Sequence, residues 1–284
     1  MMNDEQVMAK IIALAEAEDH IRAVLMEGSR INPKAKADKW RDFDIVYATT
    51  SNNPYVDGKW MQNTFIPAFG EVAVKQIPDN GNVANVYTWL IQFASGLRID
   101  LTFNSLEFLA RPNIMESLTG VILDKDANFS NLPQPNENDY LPKIPSQEDF
   151  TTCCNEFWWV APYVTKAIAR EQLLLALGIL NNVVRPEYLK LLTWLAASQT
   201  DFKVNLGKQS CYVGDYVDSK YYDPILASYS QSNLLAIGKS LSSLVYAFPS
   251  LASQTAKKLG FIYDVDEGQR TMLFLERHYG EFIK

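Results

Sequence analysis

The sequence predicts an N-terminal α/β domain with a mixed sheet, followed by an all-helical bundle domain, and three observations carry that expectation. Short apolar runs with a period of two alternate with helical stretches up to about residue 125. A Pro- and Asn-rich segment, "NLPQPNENDYLPKIPSQED" at 131–149, lacks apolar periodicity and reads as a linker. Beyond it the apolar spacing is helical throughout, with no strand pattern and no repeat. The expected domains are therefore residues 1–140 and 141–284.

Taken in order, residues 5–26 read as a helix, with Val7, Ile11, Ile12, Leu14 and Ala15 at helical spacing; Ile21, Val24 and Leu25 could open a strand. Gly28-Ser29-Arg30 marks a turn before the polar loop "NPKAKADK". "DFDIVYAT" is a strand that becomes apolar after its aspartates, and "EVAVKQI" at 71–77 alternates as another. "VYTWLIQFA" and "LRIDLTF" form a hairpin around Ser95-Gly96, "FNSLEFLARP" starts a short helix, and "GVILDKD" is a last strand. In the second half, helical patterns cover 150–181, 186–198, 212–218, 222–230, 232–247 and 270–282.

The formal net charge of -7 argues against a nucleic-acid binder, which needs clustered Lys and Arg, and favours a cationic ligand. The N-terminus "MMNDEQVMAK" lacks a signal peptide's layout. The most apolar run, "LLLALGIL" at 173–180, falls well short of the roughly 20 residues that cross a bilayer. These points predict a cytoplasmic protein without a membrane partner. Cys153, Cys154 and Cys211 suggest neither disulfides nor zinc and read as small hydrophobic residues of the interior. With two histidines, His20 and His278, carboxylates must carry most proton and metal chemistry.

Asp42 and Asp44 are two apart at the mouth of a strand, so they share one face while Phe43 and Ile45 share the other. Two close carboxylates repel unless a positive charge sits between them, and a divalent cation removes that penalty. In "LRIDLTF" the buried face is Leu97, Ile99, Leu101 and Phe103, which leaves Asp100 on the other. If this strand lies beside the 42–47 strand, the three aspartates converge. Arg98 is expected to reach solvent or a phosphate rather than to pair with Asp100. Gly28 permits a sharp turn and close approach of backbone to ligand, and its N–H groups with the Ser29 hydroxyl suit a triphosphate; Arg30 adds charge. Three carboxylates around Mg²⁺ can activate a hydroxyl and stabilise departing pyrophosphate.

A Gly-Ser turn, Asp-x-Asp about a dozen residues later and a third Asp on another strand resemble the nucleotidyltransferase superfamily related to polymerase beta. Nearly the whole chain resembles the aminoglycoside 6-adenylyltransferases (streptomycin adenylyltransferases). "EGSR-N" with "DFDIVY", "FGEVAVKQIPD", "RIDLTF", "LDKD", "CCNEFWWVAPYVTKAIARE", "VRPEYLKLLTW" and "NLGK" carry the likeness. Phe43 replaces the tyrosine common between the two aspartates. The resemblance implies a polymerase-beta-like catalytic domain, ATP as co-substrate, Mg²⁺, and transfer of AMP to a hydroxyl of streptomycin, conferring resistance. It implies that Asp42, Asp44 and Asp100 are the metal-binding carboxylates and that Gly28 and Ser29 hold the triphosphate. It also suggests Glu71 as a general base, in competition with Asp100, and Lys208 as a phosphate contact from the helical domain. Lys208 is not a P-loop lysine, because Phe202 stands where the first glycine would be.

Several further expectations complete the reading. Lys166 and Arg170 form a solvated basic face, while Trp158, Trp159 and Tyr163 are bundle core. Glu156, Asp201 and Asp215 are candidates for an acidic wall facing streptomycin's guanidinium groups, in a cleft between the domains. Two alternatives stand beside aminoglycoside transfer: another small molecule or a protein as acceptor, or a nucleotidyltransferase-like antitoxin or binding module. The long helical domain and three intact carboxylates weigh against the last.

Overall fold

A computed structural model describes residues 2–78 and 86–283. The chain divides into two compact units, Met1–Asp139 and Tyr140–Lys284. Asp79, the last residue of the "FGEVAVKQIPD" motif, lies outside the described residues.

The first unit opens with α1 (Asp4–Glu16). An Asn3/Gln6 capping box satisfies its first N–H groups, and Val7, Ile11 and Ala15 form its buried stripe. Burial of Val7 and Ile11 contributes about 1.5–3 kcal/mol each. The helix expected over 5–26 stops at Glu16, and β1 (Ile21–Glu27) follows. The continuous apolar run 23–26 reflects a central strand covered on both faces, not a helix stripe.

Next come β2 (Phe43–Thr49), α2 (Asn53–Val56), α3 (Ile66–Phe69) and β3 (Val72–Gln76). The unit continues with β4 (Val86–Phe93), β5 (Arg98–Ser105), α4 (Leu106–Leu109) and β6 (Thr119–Asp124). The six strands lie in the order β3-β4-β5-β2-β1-β6. β2 and β5 run parallel and the other neighbours antiparallel, so the sheet is mixed as expected. One face carries Phe43, Ile45, Tyr47, Ile99, Leu101 and Phe103 onto α1 and the 53–69 helical segment. Tyr47 Oη donates to the Ile11 carbonyl at 2.7 Å and ties α1 to the sheet. The other face has a small apolar core of Ala23, Leu25, Val46, Ala48, Leu109 and Phe129, and the aspartates stand at one end of it.

The second unit holds α5 (Gln147–Ala169), α6 (Leu173–Ile179), α7 (Arg185–Ser198), α8 (Ser219–Ala227), α9 (Leu234–Leu259) and α10 (Val265–Tyr279). No strand occurs among its described residues. The expected 150–181 helix breaks at Arg170–Gln172, where Glu171 adopts φ 57°. The 212–218 stretch is only a short 3₁₀ turn, Val213–Tyr216, and the 232–247 helix runs on to Leu259. α9 is long and apolar enough to span a bilayer, but Leu241, Leu244, Phe248 and Leu251 are buried in this unit's core. Phe248 stacks on Phe157 of α5 with ring centroids 3.7 Å apart. Trp158 is buried as expected, whereas Trp159 is 64% exposed and Tyr163 39% exposed. α5 turns these two rings away from the core that Trp158 joins. Cys153 and Cys154 are buried, but Cys211 is exposed on a turn.

Candidate active site

Register builds the site. β2 pairs with β5 so that Asp44 faces Asp100, and β1 pairs with β2 so that Glu27 faces Asp44. Directly paired residues point to the same face of a sheet. Glu27, Asp44 and Asp100 therefore form one acidic row across three strands, and Asp42, just before β2, stands one step along on the same face.

The turn Gly28–Arg30 closes over this row. Gly28 has φ 70°, and a Cβ there would meet Asp44 Oδ2 at 2.7 Å. Glycine thus suits the positive φ, and any side chain there would push the Asp44 carboxylate aside. Ser29 is exposed beside it. Of the two courses open to Arg30 in the sequence, a phosphate contact or an ion pair, the structure shows the ion pair, with Asp4. Its Nε donates to the Asp42 carbonyl at 2.8 Å, Nη2 to the Arg41 carbonyl at 2.8 Å, and Nη1 to the Asp4 carboxylate. The guanidinium also lies 3.6 Å over the Phe43 ring. Arg30 clamps the segment that carries Asp42 and is committed inward.

Burial, reinforced by the charges of Asp100 and Asp42, pushes the Asp44 carboxyl up to about 6. Burial, with Glu116 and Asp44 nearby, pushes Glu27 up to about 7, although the Thr119 hydroxyl donates to it at 3.4 Å. Asp42 is also raised by burial, against the pull of Arg98. The row is rich in negative charge and short of counter-charge.

Arg98 partly meets that shortage, contrary to expectation. Its Nε donates to Asp100 Oδ1 at 3.0 Å and its Nη2 to Asp100 Oδ2 at 2.8 Å, a two-pronged pair. The Nε also lies 3.5 Å from Asp42 Oδ2. Same-face neighbours on a strand are about 6.8 Å apart, which an arginine side chain spans. The pair is open rather than buried, with Arg98 42% exposed. Arg98 also joins Lys39, Trp40, Arg41 and Asp42 in lining a hollow of about 360 Å³.

A divalent cation suits this donor set: three carboxylates on one face, two of them directly paired, with burial raising Asp42 and Asp44 above the usual carboxylate range. Among the described residues, no three Asp, Glu, His or Cys side chains are gathered as a ready cage. Arg98 is bonded to Asp100 and lies 3.5 Å from Asp42, so both carboxylates face a guanidinium. The expected metal set is thus assembled in backbone register, with a guanidinium among its side chains.

Glu71 is not brought to this row. It is exposed, precedes β3, and its carbonyl accepts the Ala94 N–H. On β3 it is Gln76 that stands level with Leu90 and hence Asp100. Strand geometry puts Glu71 roughly 17 Å from Asp100 between Cα atoms. The alternation that suggested it is also broken by a register shift between Val72 and Val74, which leaves Val74 exposed. Lys208 lies in the second unit, exposed on the turn after Gly207, whose φ of 76° and tight packing on Cys211 and Tyr212 require glycine. Asp201 and Asp215 are exposed and Glu156 is partly buried in that same unit.

One residue of the site, Glu27, is not marked by the sequence, and another, Arg98, takes a partner the sequence reading had set aside. Glu27 precedes the Gly-Ser turn, but only the antiparallel register reveals it as Asp44's neighbour. Arg98 was visible, and its spacing from Asp100 was the available signal.

Residues 1–278 match the family model described as streptomycin adenylyltransferase. The chain is 29% identical over 268 residues to an aminoglycoside 6-adenylyltransferase of Campylobacter jejuni, covering 93% of this chain and 91% of that one. It is 29% identical over 279 residues to an aminoglycoside 6-adenylyltransferase of Bacillus subtilis (strain 168), covering 94% and 95%. A crystal structure of an aminoglycoside 6-adenyltransferase from Bacillus subtilis aligns with a TM-score of 0.46 at 26% identity, over 97% of this chain and 98% of that one.

Proposed function

The chain belongs to the streptomycin adenylyltransferase family, and from that premise we propose that it transfers AMP from ATP to a hydroxyl of an aminoglycoside, with streptomycin's 6-hydroxyl as the acceptor, releasing pyrophosphate. The observation that carries the reading is the direct pairing of Asp44 with Asp100 across β2 and β5, with Asp42 on the same face. A cationic acceptor agrees with the acidic chain, and dependence on ATP agrees with a cytoplasmic reaction that protects its host from the drug.

Asp42, Asp44 and Asp100 would hold Mg²⁺. When bound, the ion supplies charge neutralisation at the phosphates and activation of the attacking oxygen. The chain's own residues do the rest. The Gly28 N–H is already donated to the Leu118 carbonyl at 3.2 Å, so Gly28 serves the triphosphate by shaping a turn that lets it approach, and exposed Ser29 offers it a backbone N–H and a hydroxyl. Arg30 fixes the Asp42 backbone through two carbonyls. The acceptor oxygen attacks the α-phosphorus, the bond from that phosphorus to the bridging oxygen breaks, and pyrophosphate leaves with the electron pair. Asp100 is the favoured acceptor of the hydroxyl proton, because Glu71 stands apart on the edge strand. Lys208 is kept as a proposed phosphate contact, supported by the family's "NLGK" motif and its exposed ammonium.

The test is Asp44→Asn with labelled ATP and single aminoglycosides. AMP transfer is expected to disappear while the fold, followed by circular dichroism, persists. Near-normal turnover would end the assignment of the carboxylates, and transfer to drugs other than streptomycin would move the acceptor.

A further inference from the structure

The three aspartates already own a counter-cation. Arg98 binds Asp100 with two prongs and reaches Asp42, so its guanidinium lies among the side chains a divalent ion would need. It is also one of the site's more exposed members, and it borders open space, the hollow lined by Lys39, Trp40 and Arg41. Within that basic wall the Nε of Arg41 is a buried donor with no hydrogen-bond partner. The positive charges of Lys39 and Arg41 beside Asp42 favour an anion in this hollow, whose lining also includes Asp4.

Resting on the adenylyl-transfer reading, we propose that Arg98 is an exchangeable counter-ion: it holds the carboxylates together in the metal-free enzyme, then leaves Asp100 and Asp42 for the phosphates of the incoming nucleotide as the divalent cation takes its place. The same planar fork that fits a carboxylate fits a phosphate, so the charge is handed over rather than stranded. The metal alone must displace a bidentate ion pair and binds weakly. The metal with nucleotide does not, because Arg98 gains a new partner. Arg98 is thus a positioning residue that makes metal and nucleotide binding cooperative, and linkage requires that the cooperativity be reciprocal.

The experiment uses the full chain and Mn²⁺ as the metal probe. Free Mn²⁺ is followed by electron paramagnetic resonance, with and without α,β-methylene-ATP, and the Mn²⁺ that the analogue chelates in a protein-free titration is subtracted. For wild type, the analogue is expected to tighten Mn²⁺ binding. Arg98→Met is expected to bind Mn²⁺ alone about tenfold or more tightly than wild type, and to lose a comparable factor of the coupling to the analogue. Arg98→Lys, which keeps the charge without the fork, is expected to fall between them and serves if the methionine variant does not fold. Unchanged Mn²⁺ affinity in the folded variants, with wild type still taking up Mn²⁺ and analogue together, overturns the exchange and leaves adenylyl transfer standing. No Mn²⁺ uptake by wild type even with the analogue overturns the adenylyl-transfer reading itself, and the exchange with it.

Discussion

Replacing Gly28 by alanine asks whether the turn positions Asp44. The residue sits at φ 70°, and the added Cβ would lie 2.7 Å from Asp44 Oδ2. The backbone part alone costs about 1–2 kcal/mol for a side chain in the left-handed region. At about 2–4 °C per kcal/mol, the melting temperature should fall by about 2–8 °C. The steric part is functional. A carbon and an oxygen need more than 3 Å, so the carboxylate must shift by about half an ångström or more, and misplacements of that order lower catalysis by up to about 100-fold. Gly260 supplies the control: it has φ 72°, but a Cβ there meets nothing within 4 Å. Gly260→Ala should show a comparable loss of melting temperature with normal kcat/KM at a temperature where both proteins are folded. Steady-state AMP transfer and differential scanning fluorimetry on the two variants decide the matter. Wild-type kcat/KM in Gly28→Ala, or an equal loss in Gly260→Ala, would refute the argument that this turn holds the Asp44 carboxylate in place for catalysis.

Two further outcomes are expected. The carboxyl of Asp44 titrates near 6 in the folded chain against an ordinary 3.8, and Glu27 near 7 against 4.5, so both favour the fold while protonated and that stability is lost as pH rises through those values; metal-free protein should melt at falling temperature from pH 5 to 8, with a shallower slope in Asp44→Asn, and an equal slope in both would contradict the assignment. Arg30→Met removes inward bonds to Asp42, Arg41 and Asp4, so thermal unfolding should show a loss of about 2 kcal/mol or more, while KM for ATP stays within about twofold; a stable variant with a large rise in that KM would return Arg30 to the phosphates.

What could be read in advance follows from which features are local. Alternation alone put Phe43 and Ile45 on one face and Asp42 and Asp44 on the other, and the structure buries the first pair against α1. The sequence marked the same face of "LRIDLTF", but the adjacency of Asp44 and Asp100 had to be posed as a condition, since strand order is a long-range property. The same limit hid Glu27, which joins the row only through antiparallel pairing of β1 with β2. It also hid the inward turn of Arg30, whose partners lie across the 31–42 loop. The boundary of α1 stays open in the sequence, which allows both a helix to residue 26 and a strand from Ile21, because a strand covered on both faces is uniformly apolar and mimics a helix's continuation; the structure takes the second course.

Arg98 was misread for a different reason, and the error bears on mechanism. Two carboxylates on one face demand a cation, and the sequence reading sends Arg98 to solvent or a phosphate instead of to Asp100. A strand, however, offers any residue the charge two positions away on its own face, and β5 begins with an arginine two places before its aspartate. The same electrostatic demand is therefore answered by the chain itself. For Arg98→Met this has an opposite-signed consequence to most ion-pair deletions: removing one partner of a pair ordinarily strands a charge and destabilises, yet here the stranded carboxylates become a better site for a divalent ion. Added Mn²⁺ should accordingly raise the melting temperature of Arg98→Met more than that of wild type, and an equal rise in both would mean that the guanidinium does not compete for the place of the metal.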